Sequence, residues 1–449
     1  MYKIAFATLG CKVNQYDTDS LTALFAKNGY EIVDFKDDAD VYVINTCTVT
    51  LTGDKKSRQM IRRAISSNPD ALIVATGCYA QSAPKEVWDI DGVDIVTGTS
   101  NRKSIFELVD NALRANREKI LNVEDLVGCR NYEEMGTEGA IERTRAYVKI
   151  QDGCDSFCSY CRVPYVRGRV RSRKPESIVE EVGNLARKGI KEVILTGIHL
   201  SLYGKDYGFN PDLADVIGII VGVEGIERIR LSSVDPADVT DKLIEVISKN
   251  DKVCNHLHMA LQSGDNRILA LMNRKYTSEL FFDMVEKIRV SIPDIVFTTD
   301  VIVGFPSEDE AAFENTMELV RKVGFSKIHV FKYSKRKGTK AADYDNQVSP
   351  DVKDDRSHRL IALSNELAQK NNMSKIGTTC SILIERIYSS QKSVKELKNL
   401  NIPSGRYAEG VTKDYIRVFA KINATSEVED ILDVDIVEAY PEFLIGESK

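Results

Sequence analysis

The chain has no run of eighteen or more apolar residues, so nothing in it predicts a membrane-spanning helix. Met1-Tyr2-Lys3-Ile4-Ala5-Phe6 enters a strand-like segment directly and predicts neither a secretory nor a transit segment. Nor is there a basic excess. With 61 Lys and Arg against 67 Asp and Glu the formal net charge is −6, so affinity for nucleic acid must come from local patches. Histidine is scarce, five in 449 residues. What the chain does have is nine cysteines. With no secretion signal they point to a reducing cytoplasm and to metal ligation over disulfides. The length exceeds what one hydrophobic core sustains, predicting two or three domains. Apolar residues at 43% and charged residues at 29% describe an ordinary globular protein.

Three of the cysteines form the run Cys154-Asp155-Ser156-Phe157-Cys158-Ser159-Tyr160-Cys161. A C-x3-C-x2-C triplet offers three thiolates to one centre and withholds the fourth. A structural zinc ion wants four protein ligands, whereas a cubane iron–sulfur cluster on three cysteines keeps one iron open. This spacing, with Tyr160 just before the third cysteine, resembles the signature of the radical S-adenosylmethionine (SAM) enzymes. The resemblance implies a [4Fe–4S] cluster whose open iron chelates SAM.

Residues 3–9, 41–45 and 72–76 are apolar runs of the kind buried on both faces of a parallel sheet, with helical patterns between them. Cys11, Cys47 and Cys78 each follow one of these runs by one or two residues. Strand carboxyl ends converge on the ligand crevice of an open α/β sheet, so the three thiols predict a second metal site built from distant segments. Gly10 and Gly77 suit close backbone approach to such a site. Asn14, Asn45 and Thr46 are candidates to donate to its sulfurs or to cap the following helices.

Leu9-Gly10-Cys11-Lys12-Val13-Asn14-Gln15-Tyr16-Asp17, Asn45-Thr46-Cys47-Thr48-Val49 and Thr76-Gly77-Cys78-Tyr79-Ala80-Gln81 are similar to the N-terminal domain of the radical SAM methylthiotransferases. The likeness covers essentially the whole chain. It implies an auxiliary [4Fe–4S] cluster on Cys11, Cys47 and Cys78, besides the SAM cluster on Cys154, Cys158 and Cys161. Zinc at both sites, or a non-catalytic RNA-binding iron–sulfur protein, stands as the alternative of a different class.

From 144 to 375 six strand-like runs alternate with helical patterns, which argues for a parallel barrel or curled sheet. The resemblance implies a partial (β/α)6 barrel. It also implies that Thr196 and Gly197 meet the SAM amino group, Ser232 and Ser233 its ribose or carboxylate, and Val303 its adenine. His256 and His258 share a strand face and suit hydrogen bonding in the barrel mouth. His199 is a candidate substrate contact. The expected layout is an N-terminal open parallel α/β domain over 1–116, a linker over 117–143, the radical SAM core over 144–375, and a small β-barrel over 376–445.

Arg167, Arg169, Arg171 and Arg173 crowd the segment after the triplet and suggest phosphate contacts, as does the run Lys332, Lys335, Arg336, Lys337 and Lys340. Between 386 and 421 basic residues outnumber acidic ones, and the β character there reads as an OB-like RNA-holding module. It resembles the TRAM domain, particularly at 409–412 and 415–419. The resemblance is strongest to the branch that installs a 2-methylthio group on threonylcarbamoyl-adenosine at nucleotide 37 of tRNA, at the cost of two SAM molecules. The branches acting on isopentenyl-adenosine and on a ribosomal-protein aspartate remain alternatives. An electron donor such as flavodoxin or ferredoxin is implied, and no membrane.

Overall fold

The computed structural model describes residues 1–114, 117–137, 144–398, 400, 402–423 and 426–449. The first sheet holds β1 (Lys3–Thr8), β2 (Glu31–Val33), β3 (Val41–Thr46), β4 (Leu72–Gly77), β5 (Ile95–Thr97) and β6 (Ile120–Asn122), all parallel, in the order β2-β1-β3-β4-β5-β6. β3 and β4 are buried along their whole length, as expected for central strands with helices on both faces. α1 (Lys12–Lys27) follows β1, α2 (Leu51–Ser67) follows β3, and the short α3 (Cys78–Ser82) follows β4. Thr50 caps α2 by accepting from the Gly53 amide at 3.1 Å.

The segment expected as a linker is different. Ile120–Asn122 pairs with β5 as the sixth strand, and Glu133 and Glu134 hold Arg102 and Arg173. These two acidic residues are ion-pair partners of buried arginines, which ties this part of the segment to the fold. The boundaries expected at 116 and 143 lie outside the described residues.

The core begins with β7 (Arg145–Lys149), and a two-stranded ribbon follows from β8 (Gln151–Asp152) and β9 (Arg171–Ser172). Then come β10 (Glu192–Thr196), β11 (Arg228–Leu231), β12 (Ser233–Val234), β13 (His256–Met259), β14 (Val296–Val303) and β15 (Lys327–Lys332). Two parallel arcs, β7-β10-β11 and β12-β13-β14-β15, join because β11 runs almost directly into β12. The result is a curled, open barrel with free edges at β7 and β15. Alternate residues such as Val193, Leu195, Leu257, Met259, Val301 and Val303 pack outward against the helices. α1 lies beside β7.

The last 24-residue helix, Pro350–Met373, leads to a closed barrel of β16 (Thr379–Tyr388), β17 (Tyr407–Thr412), β18 (Arg417–Lys421), β19 (Ile431–Ala439) and β20 (Leu444–Ser448), in the order β16-β17-β18-β20-β19. The stretch 415–419 enters its strand only at Arg417. Tyr415 stands in a turn with φ of 67° and puts its ring 5.2 Å from that of His256 in the core barrel. Arg230 donates to the carbonyls of Thr412 and Lys413, and Arg228 to those of Ser381 and Val411. The small barrel therefore floors the core at the amino ends of its strands. Among the described residues no helix is long and apolar enough to cross a membrane.

Candidate functional site: two cysteine triads around one cavity

Cys11, Cys47 and Cys78 stand at the carboxyl ends of β1, β3 and β4, where the strand-to-helix turns bring them together. The gap between them is tight. A Cβ added at Gly10 would lie 2.8 Å from Cys47 Sγ, and one at Gly77 would strike Asn45 Oδ1 at 2.3 Å. Burial pushes the Cys47 thiol up to about 11. Cys11 is exposed at the rim, but the protein crowded around its sulfur raises the thiol, against the pull of the Arg167 guanidinium.

Asn45 and Thr46 do not donate to these sulfurs. Asn45 Nδ2 gives its hydrogen bond to the Asn14 carbonyl at 2.9 Å, and Thr46 Oγ1 to the Thr76 carbonyl at 2.6 Å. Asn45 ties the end of β3 to α1, and Thr46 ties it to the end of β4. The donor is Arg167, whose Nε lies 3.4 Å from Cys78 Sγ and whose other nitrogens reach Asp17, Asp152 and Asn14. Asn14 Nδ2 in turn donates to the Leu9 and Thr46 carbonyls at 2.7 and 3.0 Å.

This overturns the reading of the arginine cluster as an RNA face. Arg167, Arg171 and Arg173 are 1%, 4% and 3% exposed. Arg171 lies 3.9 Å from Asp152, and Arg173 is bound by Glu134 and Glu181. Desolvated guanidiniums require carboxylates, and these have them. Burial opposes ionisation of Asp152, yet Arg167 and then Lys149 hold its carboxyl far below the usual range. Only Arg169 of the four is exposed, with a loose pair to Asp155 at 3.9 Å. Arg336 is likewise buried, joining Asp54 at 2.7 Å, while Lys335, Lys337 and Lys340 face solvent.

Cys154, Cys158 and Cys161 occupy the loop after β8. The turn closes through Cys161 N to the Cys158 carbonyl at 2.9 Å and Phe157 at φ of 46°. The three sulfurs sit in different fields. Burial would raise the Cys154 thiol, but His199 Nδ1 at 3.7 Å and the Ser156 amide at 3.4 Å bring it below its ordinary value. Burial lifts the Cys161 thiol to about 12. Burial works against the His199 cation, but Asp238 at 3.2 Å and Cys154 raise its pKa to about 9. Arg274 donates to Cys158 Sγ at 3.3 Å and pairs with Asp235. The sequence carried no signal for Arg274, which arrives from a turn 116 residues away.

Thr196 is buried at the end of β10, and Gly197 packs against Gln151, whose Oε1 accepts from the His199 amide at 3.0 Å. Ser232 is 6% exposed and its hydroxyl has no partner, while Ser233 is exposed. The Val303 carbonyl accepts from the Tyr333 amide at 2.9 Å and its side chain joins the outer core. Tyr160 packs edge-on to Phe305 at 6.4 Å.

One cavity of about 200 Å³ touches both triads, with Cys78, Cys161, Tyr160, Arg162, Asp300 and Phe331 in its wall. Each triad suits a cluster with one open iron. Its thiols are free, no fourth cysteine completes either set among the described residues, and cationic donors stand ready for anionic sulfur. Among the described residues the buried Ser232 hydroxyl makes no hydrogen bond, which leaves a polar group unsatisfied near this end of the barrel.

A curled parallel barrel bearing such a triad after its first strand defines a radical SAM enzyme. The Radical SAM superfamily model matches residues 148–320, and the model described as Uncharacterized protein family UPF0004 matches 3–98. The solved structure of the radical SAM methyltransferase TsrM from Kitasatospora setae, with cobalamin and a [4Fe-4S] cluster bound, aligns with a TM-score of 0.57. It covers 74% of this chain and 75% of that one at 16% identity, a likeness of fold.

Among curated proteins the chain is 44% identical to "Threonylcarbamoyladenosine tRNA methylthiotransferase MtaB" of Bacillus subtilis (strain 168), over 98% of this chain and 95% of that protein. It is 40% identical to "tRNA-2-methylthio-N(6)-dimethylallyladenosine synthase" of Caldicellulosiruptor saccharolyticus, over 87% and 83%. The chain belongs to the radical SAM tRNA methylthiotransferases.

Proposed function

We propose that the chain transfers a methylthio group to C2 of N6-threonylcarbamoyladenosine at nucleotide 37 of tRNA, using two SAM molecules and two [4Fe–4S] clusters. The observation that carries this reading is the cavity whose wall includes Cys78 of one triad and Cys161 of the other. Chemistry that joins sulfur from one centre to a carbon activated at another needs both at one substrate.

Cys154, Cys158 and Cys161 would hold the SAM cluster, and Cys11, Cys47 and Cys78 the auxiliary one. When bound, these clusters supply one-electron cleavage of SAM and an open iron for sulfur. The chain's own part is to position and enclose. Arg274 and Arg167 donate to Cys158 and Cys78 and stabilise negative charge on the sulfurs. Tyr160, braced by Phe305, forms an apolar wall, and Ile302 and Phe331 offer apolar surface to a base. Thr196, Gly197, Ser232 and Ser233 border the place for SAM, with the Ser232 hydroxyl as free donor. Exposed Arg169, Lys335, Lys337 and Lys340 are the cations left for phosphates. The segment 376–445 serves as an RNA-holding barrel, an external flavodoxin or ferredoxin delivers the electron, and the reaction takes place in the cytoplasm.

The test is mass spectrometry of nucleosides from tRNA incubated anaerobically with reconstituted enzyme, SAM and a reductant. A methylthio mass shift on threonylcarbamoyl-adenosine supports the reading. A shift on isopentenyl-adenosine alone transfers the specificity to the other branch, and no shift on either nucleoside overturns it.

A further inference from the structure

The lumen of the core barrel is polar where such interiors are usually filled by branched apolar side chains. Arg145, Glu192, Arg230, His256, Asp300 and His329 lie on the strand faces opposite the outer core. His329 and Asp300 keep accessible surface although they point inward. Asp300 also lines the cavity between the two triads, together with Ile302 and Phe331 from the same strand faces, so the cavity meets the upper end of the lumen. From Phe331 in the cavity wall down to His329 on the same strand is a depth of about 7 Å.

At the bottom of this space three cations surround the ring of Tyr415. Arg230 stands 4.6 Å from its centroid, Arg145 5.7 Å and Lys12 5.7 Å. Two of them are matched. Arg230 pairs with Glu192 at 2.9 Å and donates to two carbonyls, and Arg145 is bound by Glu385. Lys12 is not. Among the described residues its ammonium makes no hydrogen bond and no ion pair, only the ring contact; Arg230 and Arg145 repel it, and Glu192, the carboxylate within its electrostatic reach, is already bound by Arg230. His256 and His329 lie within its electrostatic reach and add no negative charge. An ammonium held among cations inside a protein is costly unless an anion joins it.

We propose that Lys12 is the anchor of a carboxylate-binding site in the lumen, and that its ligand is the threonine carboxylate of the substrate's N6-threonylcarbamoyl group. This rests on the substrate proposed above. A base lying against Phe331 and Ile302 directs its N6 substituent down the lumen to Lys12. Asp300, held by His258 Nε2 at 3.3 Å, offers an acceptor on that path to the substituent's N–H groups. A dimethylallyl group has nothing to give an ammonium, so the same residue selects between the two tRNA nucleosides.

The experiment compares tRNA bearing threonylcarbamoyl-adenosine with the same tRNA whose threonine carboxylate is converted to the neutral methylamide. Wild type should favour the carboxylate by about tenfold or more in kcat/KM, as one charge-assisted hydrogen bond provides. K12M should abolish that ratio and K12R restore it. The ratio is internal to each variant, so a general loss of activity cancels. In wild type, the free threonylcarbamoyl nucleoside should also protect Lys12 from reductive methylation, read by peptide mass spectrometry, and its methylamide should not. A K12M enzyme that keeps the preference, a wild type without one, or equal protection by both nucleosides overturns the proposal. Wild-type turnover of isopentenyl-adenosine alone would instead overturn the substrate reading beneath it.

Discussion

Arg167 Nε stands 3.4 Å from Cys78 Sγ, and the same guanidinium reaches Asp17 at 2.9 Å and Asp152 at 3.2 Å. An arginine from the core loop thus completes the surroundings of a thiol in the N-terminal sheet. Replacing it with methionine takes one cation from two buried carboxylates, which keep Arg102 and Lys149, and removes the donor to Cys78. R167M should lower unfolding stability by about 1–3 kcal/mol, and reconstituted protein should lose auxiliary iron before SAM-site iron. Denaturant unfolding with iron analysis checks both; equal loss from the two sites would refute the asymmetry.

The triads should separate in reconstitution. Alanine at Cys11, Cys47 and Cys78 together should leave reductant-driven SAM cleavage in place and remove methylthio transfer. Alanine at Cys154, Cys158 and Cys161 should remove both. Iron content should fall by about half in each case, one of two cubane clusters being lost. SAM cleavage that disappears with the first set would show that the sites are not independent.

Arg274 donates to Cys158 Sγ and pairs with Asp235. A hydrogen bond to a cluster sulfur stabilises the more negative, reduced state. R274M should therefore shift the SAM-site reduction potential downward, and R274K should recover part of the shift. Redox titration followed by electron paramagnetic resonance reads this directly.

Glu308 is 4% exposed, and burial raises its carboxyl to about 7 although the Gly304 amide and Arg356 oppose the rise. Its pKa in the fold lies above the ordinary value of 4.5, so the native state holds the proton more tightly than the unfolded chain. That contribution is complete below pH 4.5 and is lost as pH rises to about 7. Stability measured across this window should decline more steeply in wild type than in E308Q, by on the order of 2 kcal/mol. Parallel slopes would contradict the burial argument.

Exposed and buried cations should behave differently towards RNA. Alanine at Lys335, Lys337 and Lys340 should weaken tRNA binding and flatten its salt dependence, by up to about one unit of slope per lost phosphate contact. R173A should chiefly destabilise the fold, because Glu134 and Glu181 are left without their partner. Binding isotherms at several salt concentrations distinguish the two.

The grouping of the cysteines was legible in the sequence, at Cys154–Cys161 from their spacing and at Cys11, Cys47 and Cys78 from their places after strands. The parallel strands were legible because those buried on two faces carry unbroken apolar runs. Arginine was not. Arg167, Arg171 and Arg173 have the same local signature as a phosphate-binding flank. Their carboxylate partners lie on other elements, with Asp17 150 residues from Arg167. The strand Ile120–Asn122 was hidden by the charged residues around it. The β propensity of Tyr415 is visible in the sequence, and the left-handed backbone that keeps it out of the strand is not.

The carbonyls that receive Arg228 and Arg230 belong to the terminal barrel, so the core is not a self-sufficient unit with an accessory handle attached. Cut the chain after the helix Pro350–Met373 and two guanidiniums face an open hole where a stopper had been. The tail that would grip a tRNA is also the plug of the reaction vessel.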